Sequence, residues 1–238
     1  MSLKAIFFDL DDTLCDYEAS VERSFEAAFA MAQPKYPHLV YGDTRLTFEE
    51  VLERQQAAVG RSFLPGNFTK DRFIATLAAG GINDEPLSTE MALLYRRARM
   101  EHLALFEDAV PTLQALHGGY ILGLVTNGPS DIQRQEIATL NIGSYFPHIV
   151  VSEEVGHDKP HPAVFQRALS LAGCDPEDAL FVGNSLAHDV AGAKGVGMRA
   201  AWVNRKAASR RDGLPAPDYE LSSLREVVTL VGSRSDKP

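Results

Sequence analysis

The 238-residue sequence predicts an α/β fold, a doubly wound and mostly parallel sheet with an α-helical domain inserted after its first strand. Two observations predict this fold. From residue 109 onward, segments with helical spacing alternate with short apolar runs, which is typical of a parallel sheet with helices on both faces. Between the first apolar run and that point lie roughly 90 residues of helical spacing without a strand pattern. We therefore expect an α/β domain built from residues 1–13 and 106–238 and a helical insertion over 14–105.

Local patterns predict the first strand and the helices of the insertion. Residues 5–8 form an unbroken apolar run, as expected for a strand buried on both faces. The first helix ends before Pro34, because proline cannot continue the backbone hydrogen-bond ladder. The second begins at Thr47, which stands in capping-box spacing with Glu50. The predicted helices of the insertion are 18–31, 47–59, 69–79 and 88–105.

The rest of the chain alternates between helix and strand. Each predicted strand is a short apolar run between turn residues, and the helix at 162 starts with a proline, which suits the first helical turn. Strands are predicted over 120–125, 149–151, 179–182 and 199–203. Helices are predicted over 111–117, 131–140, 162–172, 186–195 and 221–231.

Composition excludes several classes of protein. The 32 acidic residues outnumber the 23 Lys and Arg and give a net charge of −9, which argues against a nucleic-acid-binding protein. The apolar runs are too short to cross a membrane or to serve as a secretory leader. Two cysteines, Cys15 and Cys174, cannot form a disulfide framework or a cysteine-rich zinc site. We expect a soluble cytoplasmic protein with reduced thiols.

Polar side chains follow four of the predicted strands. In an open parallel sheet the ligand site lies beyond the carboxyl ends of the strands, so we expect these residues to lie near one another. Each of them alone has an ordinary explanation as a turn, a helix cap or a surface charge. Their shared location is what indicates a site. In chain order they are Asp9, Asp11, Thr126, Asn127, Lys159, Asn184 and Asp189.

This set of side chains suits phosphoryl transfer through a covalent intermediate. One carboxylate can attack phosphorus, and a second can protonate the leaving oxygen and later accept a proton from water. Mg²⁺ prefers oxygen ligands and lets an anionic nucleophile approach an anionic phosphate. Lysine and hydroxyl donors can hold the phosphate oxygens.

These residues resemble the motifs of the haloacid dehalogenase superfamily of hydrolases. Four motifs stand in the family's order over nearly the whole chain, and the insertion follows the first motif, like the helical cap that closes over the site in many members. The resemblance implies a Rossmann-like core. The motifs are residues 9–14, Thr126-Asn127-Gly128, Lys159-Pro160 and residues 183–189.

The resemblance implies a role for each residue. Asp9 would be the nucleophile and Asp11 the general acid and base. Thr126, Asn127 and Lys159 would hold the phosphate.

The same resemblance implies a metal site. Mg²⁺ would be held by the Asp9 carboxylate, the Asp11 backbone carbonyl and the fourth motif, which supplies Asn184 and Asp189. Asn184 departs from the family's pattern, in which an acid usually stands at this position. Because its amide oxygen carries no charge, we expect weaker Mg²⁺ binding than in a member with both acids.

The function that follows is a Mg²⁺-dependent phosphomonoesterase acting on a small soluble phosphate ester, such as a nucleotide or sugar phosphate, through an aspartyl phosphate. A 2-haloacid dehalogenase is an alternative, but halide needs no proton donor, and Asp11 therefore favours a phosphatase. A phosphomutase would also keep Asp11 and would have to exclude water. A phospho-accepting regulatory module is the alternative outside enzymes, although it leaves the insertion unexplained.

Substrate choice is expected to reside in the insertion, since the α/β domain holds only the phosphate. Three side chains there could meet a sugar or a base: Tyr17, Arg61 and Asn67. His157 and His161 flank Lys159, but the prolines beside them prevent the helix that would align a metal-binding pair. We interpret both histidines as loop residues near the mouth of the site.

Overall fold

The computed structural model describes residues 3–64, 66–210 and 213–232, which form two compact units. The α/β unit combines Met1–Asp16 with Leu105–Pro238, and the helical unit is Tyr17–Ala104. We predicted from the sequence that residues 14–16 and Leu105 belong to the insertion, whereas in the structure they belong to the α/β unit. The reason is that Cys15 forms isolated bridges with Asp11 and Leu105.

A six-stranded parallel sheet forms the centre of the α/β unit, which confirms the predicted fold class. The spatial order of the strands is β3-β2-β1-β4-β5-β6, so the order reverses at β1. At such a point the connections at the carboxyl ends diverge and leave a crevice. The strands are β1 Ala5–Phe8, β2 Ile121–Thr126, β3 His148–Val151, β4 Ala179–Gly183, β5 Arg199–Val203 and β6 Tyr219–Leu221.

Within the described residues, four α-helices build the helical unit around an aromatic core that includes Phe25, Phe48, Phe73 and Tyr95. The second helix begins six residues earlier than predicted. Thr47 therefore lies inside it, and its hydroxyl donates to the carbonyl of Asp43 instead of capping the helix. The helices are α1 Tyr17–Ala32, α2 Tyr41–Val59, α3 Phe68–Ala79 and α4 Glu85–His102.

The helices of the α/β unit flank its sheet. Two predictions are corrected here. The segment predicted as one helix over 186–195 is a wide helical turn, Leu186–Val190, followed by a short helix. The helix predicted to start at Leu221 starts at Arg225, because Leu221 ends β6. The helices are α5 Ala109–Leu116, α6 Ser130–Thr139, α7 Ser152–Val155, α8 Pro162–Ala172, α9 Ala191–Gly195 and α10 Arg225–Gly232.

The strand β1 is the most deeply buried part of the sheet. All four of its side chains are fully buried, which explains why its sequence shows no polar alternation. Because β1 is held on both sides and on both faces, the polar residues that follow it start from a rigid position at the carboxyl end of the sheet. Within the described ranges, every helix is too short or too polar to cross a lipid bilayer.

Candidate active site

Lys159 is the centre of the site, although it lies in a loop and is almost completely buried. Its ammonium donates to Asp9 Oδ1 at 2.6 Å, to Asp189 Oδ1 at 2.8 Å and to the Val125 carbonyl at 2.9 Å. An ammonium has three protons, and each has an acceptor here. The structure thus joins the ends of β1 and β2 with the segment that follows β4.

The two carboxylates keep this buried lysine charged. Burial alone would lower the pKa of Lys159, but the charges of Asp189 and Asp9 outweigh burial and raise the pKa above its usual value. Burial raises the pKa of Asp189, and the nearby charge of Asp9 acts in the same direction. Two carboxylates and one ammonium leave an excess of negative charge, which suits a site for a cation.

Thr13 belongs to the site, although sequence reasoning assigned it no role. Its hydroxyl lies 2.9 Å from Asp9 Oδ2 and 3.4 Å from Asn184 Oδ1, and it accepts the Asn184 backbone N–H at 3.0 Å. A hydroxyl has one proton, and the shorter contact to a charged acceptor takes it. With Lys159 on the other oxygen, Asp9 is thus held on both sides. The spacing of Thr13 from Asp9 and Asp11 was the available signal.

Asn127 contacts the backbone of Lys159 with both ends of its amide. Its Oδ1 accepts the Lys159 N–H at 2.8 Å, and its Nδ2 donates to the Lys159 carbonyl at 3.1 Å. His188 adds a third contact, since its Nδ1 lies 3.0 Å from the same carbonyl and must therefore be the donor. The structure brings Asn127 into the site, where its side chain holds the lysine loop.

Thr126, at the end of β2, is completely buried. Its hydroxyl donates to Gln133 Oε1, and Gln133 in turn donates to Glu136 Oε2 at 2.8 Å. This hydroxyl could donate to a phosphate oxygen only after rotating away from Gln133. The predicted role of Thr126 therefore depends on such a rotation.

The fourth motif is held by its own backbone and by a tryptophan. Asp189 Oδ2 accepts the Ser185 N–H at 2.9 Å, and Trp202 Nε1 donates to the Asn184 carbonyl at 2.8 Å. A Cβ at Gly183 would lie 2.4 Å from Asp189 Oδ2, so the carboxylate can approach only a glycine. In the structure Asp189 therefore contacts Lys159, and Asn184 contacts Thr13.

Two of the predicted substrate residues meet in the helical unit. The Arg61 guanidinium lies 6.0 Å from the centre of the Tyr17 ring, and Arg99 donates to the Tyr17 hydroxyl at 3.2 Å. Asn67 is exposed at the start of α3, where its carbonyl accepts the Asp71 N–H. In the α/β unit, the rings of His157 and His161 stack at 3.7 Å.

A comparison with protein families gives the identity of this fold. Residues 3–197 match the model of the haloacid dehalogenase-like hydrolases. The chain belongs to this family. The resemblance inferred from the four motifs is therefore confirmed.

Known phosphatases and a solved dehalogenase align with almost the whole chain. Human N-acylneuraminate-9-phosphatase is 30% identical over 97% of this chain and 94% of its own length. The glyceraldehyde 3-phosphate phosphatase of Methanopyrus kandleri is 31% identical over 96% of this chain and 97% of its own. The crystal structure of a 2-haloacid dehalogenase from Pseudomonas syringae pv. Tomato superposes with a TM-score of 0.71 at 27% identity, covering 98% of this chain and 99% of that one.

The donor set of this haloacid dehalogenase-like hydrolase fits Mg²⁺. Asp9, Asp11, Asn184 and Asp189 supply only oxygen, and Mg²⁺ usually takes one or two carboxylates and keeps several waters. Within the described residues no group of three or more His, Cys, Asp or Glu side chains stands at metal-binding spacing. Oxygen ligands with no sulfur or imidazole among them suit a hard cation such as Mg²⁺.

Proposed function

We propose that this protein is a Mg²⁺-dependent phosphomonoesterase that acts on a small soluble phosphate ester, such as a nucleotide or sugar phosphate. The observation that carries the proposal is the buried Lys159 ammonium, which contacts Asp9 at 2.6 Å and Asp189 at 2.8 Å. The arrangement supports a carboxylate that is held in a fixed position to meet an anionic substrate. The two relatives described above, each at least 30% identical to this chain, are both phosphatases, which adds support.

The first step forms an aspartyl phosphate. An oxygen of the Asp9 carboxylate attacks phosphorus, and the bond from phosphorus to the ester oxygen breaks. Asp11 gives its proton to that oxygen, so the leaving group departs as a neutral alcohol. Lys159 and Thr13 hold the Asp9 carboxylate in place, which saves the entropy of orienting it during the reaction.

The second step returns the enzyme to its starting state. Asp11, now a carboxylate, accepts a proton from a water molecule as the water oxygen attacks phosphorus. The bond between phosphorus and the Asp9 oxygen breaks, inorganic phosphate leaves, and Asp9 is a carboxylate again. One residue thus serves as acid and then as base.

Asp9, the Asp11 backbone carbonyl and Asn184 are the residues proposed to hold Mg²⁺. The positive charge of the bound ion would offset the repulsion between a carboxylate and a phosphate. Asp189 already accepts from Lys159 and from the Ser185 N–H. We assign it mainly to the lysine, and its remaining lone pairs would be available to the metal, directly or through water.

Hydrolysis of p-nitrophenyl phosphate with and without Mg²⁺ tests the proposal. We expect steady turnover that needs the cation and is abolished by Asp9→Asn, because an amide is a poor nucleophile. Asp131→Asn, at an exposed position in α6, is the matched control and should keep full activity. Activity that survives Asp9→Asn would contradict the proposed nucleophile, and a single slow phosphorylation event would favour a regulatory module.

A 2-haloacid dehalogenase is the second candidate, favoured by the solved dehalogenase that shares this fold at 27% identity. The buried Asp11, 9% exposed, supports the phosphatase, because only an alkoxide leaving group needs a proton. Chloride release from 2-chloropropionate, measured beside phosphate release, distinguishes the two activities. We also propose a cytoplasmic location, which the free thiols of Cys15 and Cys174 support.

A further inference from the structure

Arg205, two residues beyond the end of β5, contacts both segments of the chain at the edge of the α/β unit. Its Nη1 and Nη2 lie 3.0 and 2.8 Å from the two carboxylate oxygens of Asp108. Nη2 also donates to the Thr13 carbonyl at 3.2 Å, and the guanidinium carbon lies 3.9 Å from the centre of the Phe106 ring. One side chain thus links the segment that leaves this unit with the segment that returns to it.

Asp108 fixes the position of the Arg205 guanidinium through a network of hydrogen bonds. Besides the two contacts from Arg205, its carboxylate accepts from the Ser223 hydroxyl at 2.8 Å and from the Leu224 N–H at 2.9 Å. The carboxylate is only 4% exposed, so these hydrogen bonds compete little with water. A paired fork of this kind fixes the plane of the guanidinium, and in that plane Nη2 also donates to the Thr13 carbonyl.

The remaining contact leads to the nucleophile through Thr13. The carbonyl of Thr13 accepts from Arg205, while its hydroxyl donates to Asp9 Oδ2 and accepts the Asn184 N–H. A shift of the Thr13 backbone would therefore move the hydroxyl away from Asp9 and Asn184 together. The chain of contacts runs from Asp108 through Arg205 and Thr13 to Asp9.

We propose that Arg205 is a positioning residue, which holds Thr13 so that the Asp9 carboxylate keeps the orientation needed for attack on phosphorus. The inference rests on the proposed phosphatase function and adds a residue outside the four motifs. Lysine cannot replace it, because an ammonium cannot pair with both Asp108 oxygens in one plane while it reaches the Thr13 carbonyl.

Kinetics of Arg205→Lys and Arg205→Ala with p-nitrophenyl phosphate test the inference. We expect kcat to fall by about tenfold or more and KM to change little, because misplacement of a reacting group slows the chemical step. Millimolar methylguanidinium should restore part of the kcat of Arg205→Ala and leave Arg205→Lys unchanged. A merely structural arginine would lower the melting temperature without this split and without rescue.

A double-mutant cycle tests whether Arg205 acts through Thr13. Thr13→Val removes the hydroxyl and Thr13→Ser keeps it, so we expect the first to lower kcat and the second to retain it. The kcat of the double variant Thr13→Val with Arg205→Ala should be little lower than that of the worse single variant. The reason is that both substitutions interrupt the same chain of contacts to Asp9. Losses that multiply in full would overturn the inference.

Arg225→Ala is the matched control. Arg225 is 65% exposed and lies 3.8 Å from Glu107, the neighbour of Asp108, so the variant removes the same charge nearby and should keep kcat. If the wild type is active and Asp9→Asn is not, folded Arg205 variants with wild-type kcat would overturn this inference and leave the proposed function standing. A wild-type enzyme that is inert toward phosphate esters would overturn the proposed function and this inference with it.

Discussion

The charges around Lys159 are unevenly distributed among the oxygen donors of the site. Asp9 and Asp189 both contact the lysine through carboxylate oxygens, whereas Asn184 offers an amide oxygen beside Thr13. An amide can ligate Mg²⁺, but it adds nothing to the electrostatic attraction that governs binding of a hard cation. The affinity for Mg²⁺ should therefore be limited by this one residue.

We expect Asn184→Asp to tighten Mg²⁺ binding by about tenfold, since affinity rises with the number of charged ligands. The fluorescence of Trp202 can report the binding without any substrate. Trp202 is the chain's one tryptophan, and its Nε1 donates to the Asn184 carbonyl. Asn141→Asp adds the same charge at an exposed position of the same unit and should leave the midpoint unchanged. An equal midpoint in wild type and Asn184→Asp would contradict the expectation.

Single residues also show where sequence reasoning reaches its limit. The positions of Asp9, Lys159 and Asp189 follow from strand ends, and the structure does bring the three together. The direction of a side chain depends on partners that are distant in sequence. Asn127 turns to the backbone of Lys159, and Thr13 meets Asn184 across 171 positions, so neither contact could be predicted from local spacing.

At the scale of elements, β4 carries the most demanding close approach in the site. Gly183 is its last residue, and the Asp189 carboxylate lies where a side chain at 183 would be. The turn after β4 can fold back onto Lys159 because this strand ends in a glycine. The end of β4 thus decides whether the fourth motif reaches the lysine.

We expect Gly183→Ala to lower kcat by about tenfold or more, because its Cβ would push Asp189 away from Lys159 and disturb the groups that hold Asp9. Gly195→Ala is the control, since a Cβ there has no neighbour within 4 Å among the described residues. It should keep full activity. Equal activity of the two variants would show that the contact between Lys159 and Asp189 is not needed for catalysis.

Elements were predictable to the extent that burial sets their pattern. The first five strands are apolar runs because they are buried, and all five were predicted. β6 has three residues, of which only Leu221 is buried, and so it leaves no apolar run in the sequence. The start of α2 was predicted wrongly because Val40 provides no side-chain cap. Thr47 and Glu50 have the spacing of a capping box, but both lie inside the helix.

At the scale of the whole α/β unit, Asp108 joins parts of the chain that are far apart in sequence. It contacts Arg205 after β5 and the segment that leads into α10. Burial alone would raise the pKa of Asp108, but hydrogen bonds from Arg205, Ser223 and the Leu224 N–H outweigh burial and lower it. Ionised Asp108 therefore contributes to the stability of the fold.

The sign of the pH dependence follows from this lowered pKa. The contribution is fully present above the pKa of the unfolded chain, about 4, and is lost as the pH falls toward the lower value of the folded state. We expect wild type to be more stable than Asp108→Asn at neutral pH and the difference to shrink below about pH 4. Urea unfolding of both proteins from pH 7 to pH 3 measures it. A difference that grows on acidification would contradict the assignment.

The position of β1 has a consequence for synthesis on the ribosome. Of the six strands of the sheet this one is made first, yet Ala5 pairs with Ile121 on one side and with Ala179 on the other. Its apolar residues therefore leave the ribosome long before either neighbouring strand exists, and pairings of such high contact order form late. In that interval the helical unit, Tyr17–Ala104, is synthesised completely. It can therefore bury its aromatic rings before the strands that pair with β1 have been made.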